Sequence, residues 1–138
     1  MSGWTLAEYK GEDGGSYVVR ARALPIADER ARWPVAVWLS WPFGTVSEAE
    51  EDRIVDEMIR FEQATYDAAE RSGWGLLVAV VTTGAGREWL WYAANATEFR
   101  GELSGVVADE PWPALDVRAF DDPSWKAARE LSPRATMH

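Results

Sequence analysis

Cysteine is absent from the 138 residues, and histidine occurs once, at the last position, His138. The first absence excludes disulfides, thiolate nucleophiles and cysteine-ligated zinc. The second removes Ser-His-Asp and Cys-His arrangements, because a lone imidazole on a terminal residue has no packing to pre-organise it as a base. Long apolar runs are also lacking: the longest, residues 76–81, falls far short of the roughly 20 residues of a membrane-spanning helix. The opening Met1-Ser2-Gly3-Trp4 has no basic stretch followed by an apolar segment, so it does not read as a secretory signal. Together these features predict a soluble, cytoplasmic protein.

Basic residues are the minority, 14 against 23 acids, for a formal net charge of −9. Such a field repels nucleic-acid backbones and anionic lipid, and attracts a basic protein. Apolar residues make up 47% of the chain, enough for a core, and the length suits a single domain spanning residues 1–138.

Tryptophan is what the chain has in excess, with nine residues. Each is large and seldom fully enclosed, so the surplus serves either the core or an interface. Residues 4–10 and 16–24 alternate apolar and polar side chains around a glycine-rich turn and read as a hairpin occupying residues 1–24. Residues 34–42 form a strand with Val35, Val37, Leu39 and Trp41 on one face and Ala36, Trp38 and Ser40 on the other. Ser47-x-x-Glu50 is a capping box, and Ile54, Met58, Phe61 and Thr65 recur at helical spacing up to Ser72-Gly73.

Residues 75–83 are an almost unbroken apolar run, the signature of a central strand buried on both faces. Thr83-Gly84-Ala85-Gly86 turns the chain into a returning strand, residues 87–93, where Trp89 and Trp91 share a face. This glycine loop lacks the Lys-Ser/Thr of a phosphate-binding loop and joins strand to strand; a neighbouring acid is the expected partner of Arg87. Residues 97–108 read as a weaker helix containing Gly101 and Gly105, and residues 113–120 as a last strand. Asp122-Pro123 then opens a short helix, with Asp as cap and Pro at its first position.

The order from residue 34 onward, β-α-β-β-α-β, is that of a ferredoxin-like α+β sandwich. The core spans residues 34–120, both helices cover one face of an antiparallel sheet, and residues 121–133 close the chain. The N-terminal hairpin serves as cover for the open face or as added edge strands.

Carboxylates cluster at Glu48, Glu50, Glu51 and Asp52, at Asp56 and Glu57, at Asp109 and Glu110, and at Asp121 and Asp122. The first cluster sits at a helix start, where acids stabilise the helix dipole, and the last at a cap. No Asp-x-Asp-x-Asp-Gly loop with a following Glu is present, so no metal site, cofactor site or catalytic group is assigned.

Several segments carry a resemblance. Gly86 to Asn95 (GREWLWYAAN) follows a TTGAGRE hairpin, and Asp121 to Pro133 (DDPSWKAARELSP) closes the chain. With an N-terminal strand carrying Trp4 and Tyr9 and a long acidic helix, these resemble the bacterial DUF695 family over residues 4–133. The Asp-Pro-x-Trp element, here Asp122, Pro123 and Trp125, is the most specific part. That family looks similar to the regulator-of-ribonuclease-E-activity B group, whose members have a ferredoxin-like fold and inhibit a basic nuclease by protein contact. The usual aromatic shortly after the Trp is missing here, where Lys126-Ala127-Ala128 stands.

Composition and resemblance lead to one expectation: a non-enzymatic domain that inhibits or neutralises a basic protein, as a nuclease regulator or a toxin-immunity protein does. Its candidate partner-binding residues are Trp38, Trp89 and Trp91 on the sheet and Glu48, Glu50, Glu51 and Asp52 on the acidic helix. The alternative is a small-molecule or carbohydrate-binding module using the Trp-rich sheet face. The domain is expected as a monomer or a homodimer.

Overall fold

Six alternating segments pair into one sheet in a computed structural model that describes residues 4–10, 15–44, 46–113 and 115–131. The strands are β1 (Trp4–Lys10), β2 (Ser16–Arg22), β3 (Val35–Pro42), β4 (Leu76–Thr83), β5 (Gly86–Ala93) and β6 (Asp116–Asp121). Their order is β1-β2-β4-β5-β3-β6, with every neighbouring pair antiparallel. Four helices accompany them among the described residues: α1 (Ala27–Arg30), α2 (Glu48–Ser72), α3 (Ala96–Val107) and α4 (Lys126–Leu131). The fold is α+β. The turn at residues 11–14 and the tail with His138 lie outside the described residues.

Strand alternation divides the apolar side chains between the two faces. Val35, Val37, Leu39 and Trp41 of β3 and Trp89 and Trp91 of β5 form one cluster with Met58 and Phe61 of α2 and Phe99 and Leu103 of α3. Ala36, Leu90 and Tyr92 face the other way and pack with Val19, Ala21, Trp125 and Ala128. The run in β4 is buried from Leu76 to Val81, as its composition predicts. Its alternation is interrupted by a register shift between Leu77 and Ala79. Val78 and Ala79 therefore both join the second cluster, while Leu77 and Val80 join the first.

At the N-terminal end the hairpin takes the second of its two expected places: β2 pairs with β4, so the hairpin adds edge strands to the sheet. Trp125 and α4 provide the cover for the second face. The last helix begins later than the Asp-Pro signal suggests, at Lys126. Asp122 still caps it, by accepting from the amides of Lys126 at 2.9 Å and Ala127 at 3.0 Å across an intervening turn. That turn places Trp125 at φ 59°, the left-handed region that few non-glycine residues enter.

Candidate functional site

The long helix owes its ends to local chemistry. Ser47 Oγ accepts from the Glu50 amide at 3.2 Å, and the Gly73 amide donates to the Ala69 carbonyl at 2.7 Å with φ 68°. Between these caps, the stripe of Met58, Phe61, Thr65, Ala68 and Ala69 faces the sheet. The remaining face points to solvent. Glu48, Glu50, Glu51, Asp52 and Asp56 are all exposed, with Arg53 the one base in that stretch. Among the described residues none of these five carboxylates forms an ion pair. Ile59 follows three residues after Asp56 and is 53% exposed, large for an isoleucine on a packed helix.

The tryptophans named from the sequence do not gather on one surface. Trp89 and Trp91 are 0% and 1% exposed. Trp89 packs against Phe61 (ring centroids 4.9 Å apart), and Trp91 stacks on Trp74 at 5.6 Å. The expectation that they offer a binding face is therefore corrected: α2 and α3 cover them. Trp38 lies on the opposite face of β3, half-buried, opposite Leu90 on one neighbour and Arg118 on the other. Of the named residues, only Glu48, Glu50, Glu51 and Asp52 stand together in solvent.

A polar cluster that the sequence did not reveal joins β2, β5 and α2. Arg20 donates to both carboxylate oxygens of Glu62 at 2.8 and 2.7 Å, and Trp89 Nε1 donates to the same group at 2.9 Å. The buried indole thus finds the acceptor it needs. Arg87 lies near and donates through Nε to Thr82 Oγ1 at 3.0 Å, not to an adjacent acid as expected. Burial lowers its pKa from the ordinary guanidinium range, the Glu62 charge opposes this, and Arg20 adds to it. Trp4 lies under two guanidiniums, with Arg20 5.6 Å and Arg22 5.2 Å from its ring centroid. A groove of about 290 Å³ opens here, lined by Trp4, Arg20, Glu62, Gln63, Tyr66 and Leu77. Arg20 and Glu62 are 42 positions apart, so no local pattern could have paired them.

The Asp-Pro-x-Trp element forms a third constellation, and its role is architectural. The Trp125 and Tyr92 rings stack with centroids 3.9 Å apart, and Trp125 Nε1 donates to the Trp33 carbonyl at 2.9 Å. The Tyr92 hydroxyl donates to Asp122 at 2.7 Å and accepts from the Ala128 amide at 3.2 Å. Burial, with the Asp122 bond, pushes the Tyr92 phenol far above its ordinary range. Burial alone would raise the Asp122 carboxyl, but the Tyr92 hydroxyl, the Ala127 and Lys126 amides and the Arg129 charge together hold it below the ordinary 3.8.

Among the described residues no three carboxylates or imidazoles come close enough to hold a metal ion. No described helix is long and apolar enough to cross a membrane.

No curated protein matches the chain. Residues 44–131 match the profile described as "Family of unknown function (DUF695)". The match takes in the acidic helix, the β4–β5 hairpin and the Asp122-Pro123-x-Trp125 closure, and leaves the strand with Trp4 and Tyr9 outside it. It covers more than half of the sequence, and on that ground the chain belongs to the DUF695 family.

Proposed function

We propose that the domain is a non-enzymatic binding module that docks a basic protein partner on the exposed face of α2. One observation carries this reading: Glu48, Glu50, Glu51, Asp52 and Asp56 stand in solvent without ion-pair partners among the described residues and run directly into the exposed Ile59. Acids near a helix start stabilise the helix dipole, but that needs only those in the first turn. Asp52 and Asp56 lie beyond it, and their unneutralised charge extends the negative field along the helix. Such a field speeds the encounter with a basic surface, and an apolar side chain beside it supplies contact area once the partner has docked. A nuclease regulator or a toxin-immunity protein is the concrete form of this role.

We also infer that β3–α2–β4–β5–α3–β6 forms a ferredoxin-like unit, of the kind seen in the regulator-of-ribonuclease-E-activity B group. Support comes from the antiparallel order β4-β5-β3-β6 and from α2 and α3 packing in the same cluster. A cytoplasmic location accords with this role. The carbohydrate reading is not carried forward, because Trp89 and Trp91 are enclosed.

The test is affinity capture by the full chain at low salt, comparing wild type with a variant in which Glu48, Glu50, Glu51 and Asp52 are all replaced by Gln. A basic protein retained by the wild type and lost from the folded variant supports the reading. Equal capture by both chains contradicts it.

A further inference from the structure

Arg22 is a half-buried cation whose Nε–H the fold leaves without an acceptor. It stands two residues from Arg20 on β2, so both guanidiniums lie on the side of the sheet that faces α2. The carboxylate that α2 presents to Arg20 is already engaged. Glu62 takes both bonds from Arg20 and one from Trp89. Arg22 forms no ion pair among the described residues. Its Nη2 reaches the Tyr66 hydroxyl only at 3.5 Å, and its Nε is buried with no acceptor. A distance of 3.5 Å is beyond the range of a good N–H···O bond.

The electrostatic balance points the same way. Arg20 and Arg87 share the Glu62 carboxylate, and Arg22 beside Arg20 has no ion-pair partner among the described residues, in a chain whose formal net charge is −9. A buried donor without an acceptor, beside an unmatched charge, is a costly arrangement that an incoming anion relieves. The groove beside it has room: about 290 Å³, lined by Trp4, Tyr66 and Gln63 among others. Arg22 stands behind that lining, touching two of its residues, Trp4 and Tyr66. The planar guanidinium fork matches the geometry of carboxylate and phosphate oxygens.

We propose that the groove between the β1–β2 hairpin and α2 binds the oxyanion group, carboxylate or phosphate, of a small ligand, with Arg22 as its ion-pair donor and Trp4 as an aromatic wall. The volume suits a ligand of modest size, and Leu77 on the lining suits one with an apolar part beside the anion. This site is separate from the acidic face of α2 and stands or falls independently of it.

The arginine Nε–H resonances of the full chain test the proposal directly. Sodium phosphate and sodium acetate are titrated separately, against sodium chloride at matched ionic strength. The Arg22 resonance is expected to move and saturate with phosphate, with acetate or with both, and the responding salt identifies the ligand chemistry. Arg22→Gln should weaken that binding by at least about tenfold. Arg118→Gln, an exposed cation on the opposite face, should leave it unchanged. An Arg22 resonance that responds no more to phosphate and acetate than to chloride overturns the proposal, as does wild-type affinity in a folded Arg22→Gln. The wild-type titration decides by itself if that variant fails to fold.

Discussion

The Tyr92 hydroxyl donates a 2.7 Å hydrogen bond to Oδ2 of Asp122, tying the middle of the sheet to the turn that starts the last helix. The same carboxylate accepts from the Lys126 and Ala127 amides, so one buried side chain holds three donors. Asp122→Ala leaves all three without an acceptor and should cost about 2–4 kcal/mol in urea unfolding. Tyr92→Phe removes one donor to Asp122 and the acceptor of the Ala128 amide and should cost about 1–3 kcal/mol. If Asp122→Ala unfolds at the same urea concentration as wild type, the closure is not what holds α4 to the sheet.

This carboxyl also predicts a pH dependence. Its native pKa lies below the ordinary 3.8, so the native state favours the ionised form. The stability it contributes is fully present above the ordinary aspartate value and is lost as pH falls through the depressed native value. Wild type should therefore lose stability more steeply than Asp122→Asn below about pH 4, a range set by that ordinary value. Tyr92 has the opposite sign. Its raised pKa favours the neutral phenol, and that contribution is lost as pH rises above the ordinary 10.0. Tyr92→Phe should flatten the alkaline limb. Parallel limbs for wild type and variants, measured by circular dichroism across pH, contradict both assignments.

Trp89 and Trp91 are equally buried but differ in one bond. Trp89 Nε1 donates to the Glu62 carboxylate, whereas Trp91 Nε1 is buried with no acceptor. Substitution by Phe removes similar volume at both positions, so the difference between the variants isolates the hydrogen bond. Trp89→Phe should be about 1.5–3 kcal/mol more destabilising than Trp91→Phe, the size expected of a bond to a charged acceptor. Equal losses in chemical denaturation would assign no stabilising role to the Glu62 contact.

Two glycines make opposite predictions. A Cβ on Gly86 would lie 2.4 Å from the Trp41 carbonyl oxygen and 2.7 Å from Pro42 Cα, both backbone atoms that cannot turn aside. Gly86→Ala should therefore cost about 2–4 kcal/mol through displaced strand pairing between β3 and β5. A Cβ on Gly101, inside α3, meets nothing within 4 Å. Gly101→Ala should stabilise by about 0.5–1 kcal/mol, since alanine restricts the unfolded chain and suits a helix interior. Thermal melts of the two variants check both signs.

What was legible in the sequence was what local chemistry decides. Ser47 and Gly73 announce the ends of α2 through caps that need only neighbouring residues. The apolar run of β4 announces a strand buried on both faces. The faces themselves were harder to read. The register shift at Val78 interrupts the alternation inside an apolar run that hides it, and nothing in the spacing of Trp89 and Trp91 says that α2 and α3 lie over them. The start of α4 was misread because Asp122 caps across a four-residue turn with Trp125 at φ 59°, a conformation that no residue pattern there signals. The acids of α2 are visible as a group in the sequence, but the spacing does not tell that Met58 and Phe61 carry the packing and leave Ile59 in solvent. Arg20 and Glu62, and likewise Arg22 and Tyr66, meet through tertiary structure alone.

The claim that the acidic face of α2 docks a basic protein is tested most directly by site-specific photo-crosslinking in the native host. A photoreactive residue is placed at Ile59 in one chain and at Phe120, an exposed aromatic on β6, in another. A crosslinked basic protein is expected from position 59, none from position 120, and the adduct should be lost when Glu48, Glu50, Glu51 and Asp52 are replaced by Gln. An adduct from position 120 alone, or one from position 59 that survives loss of the four acids, would contradict it.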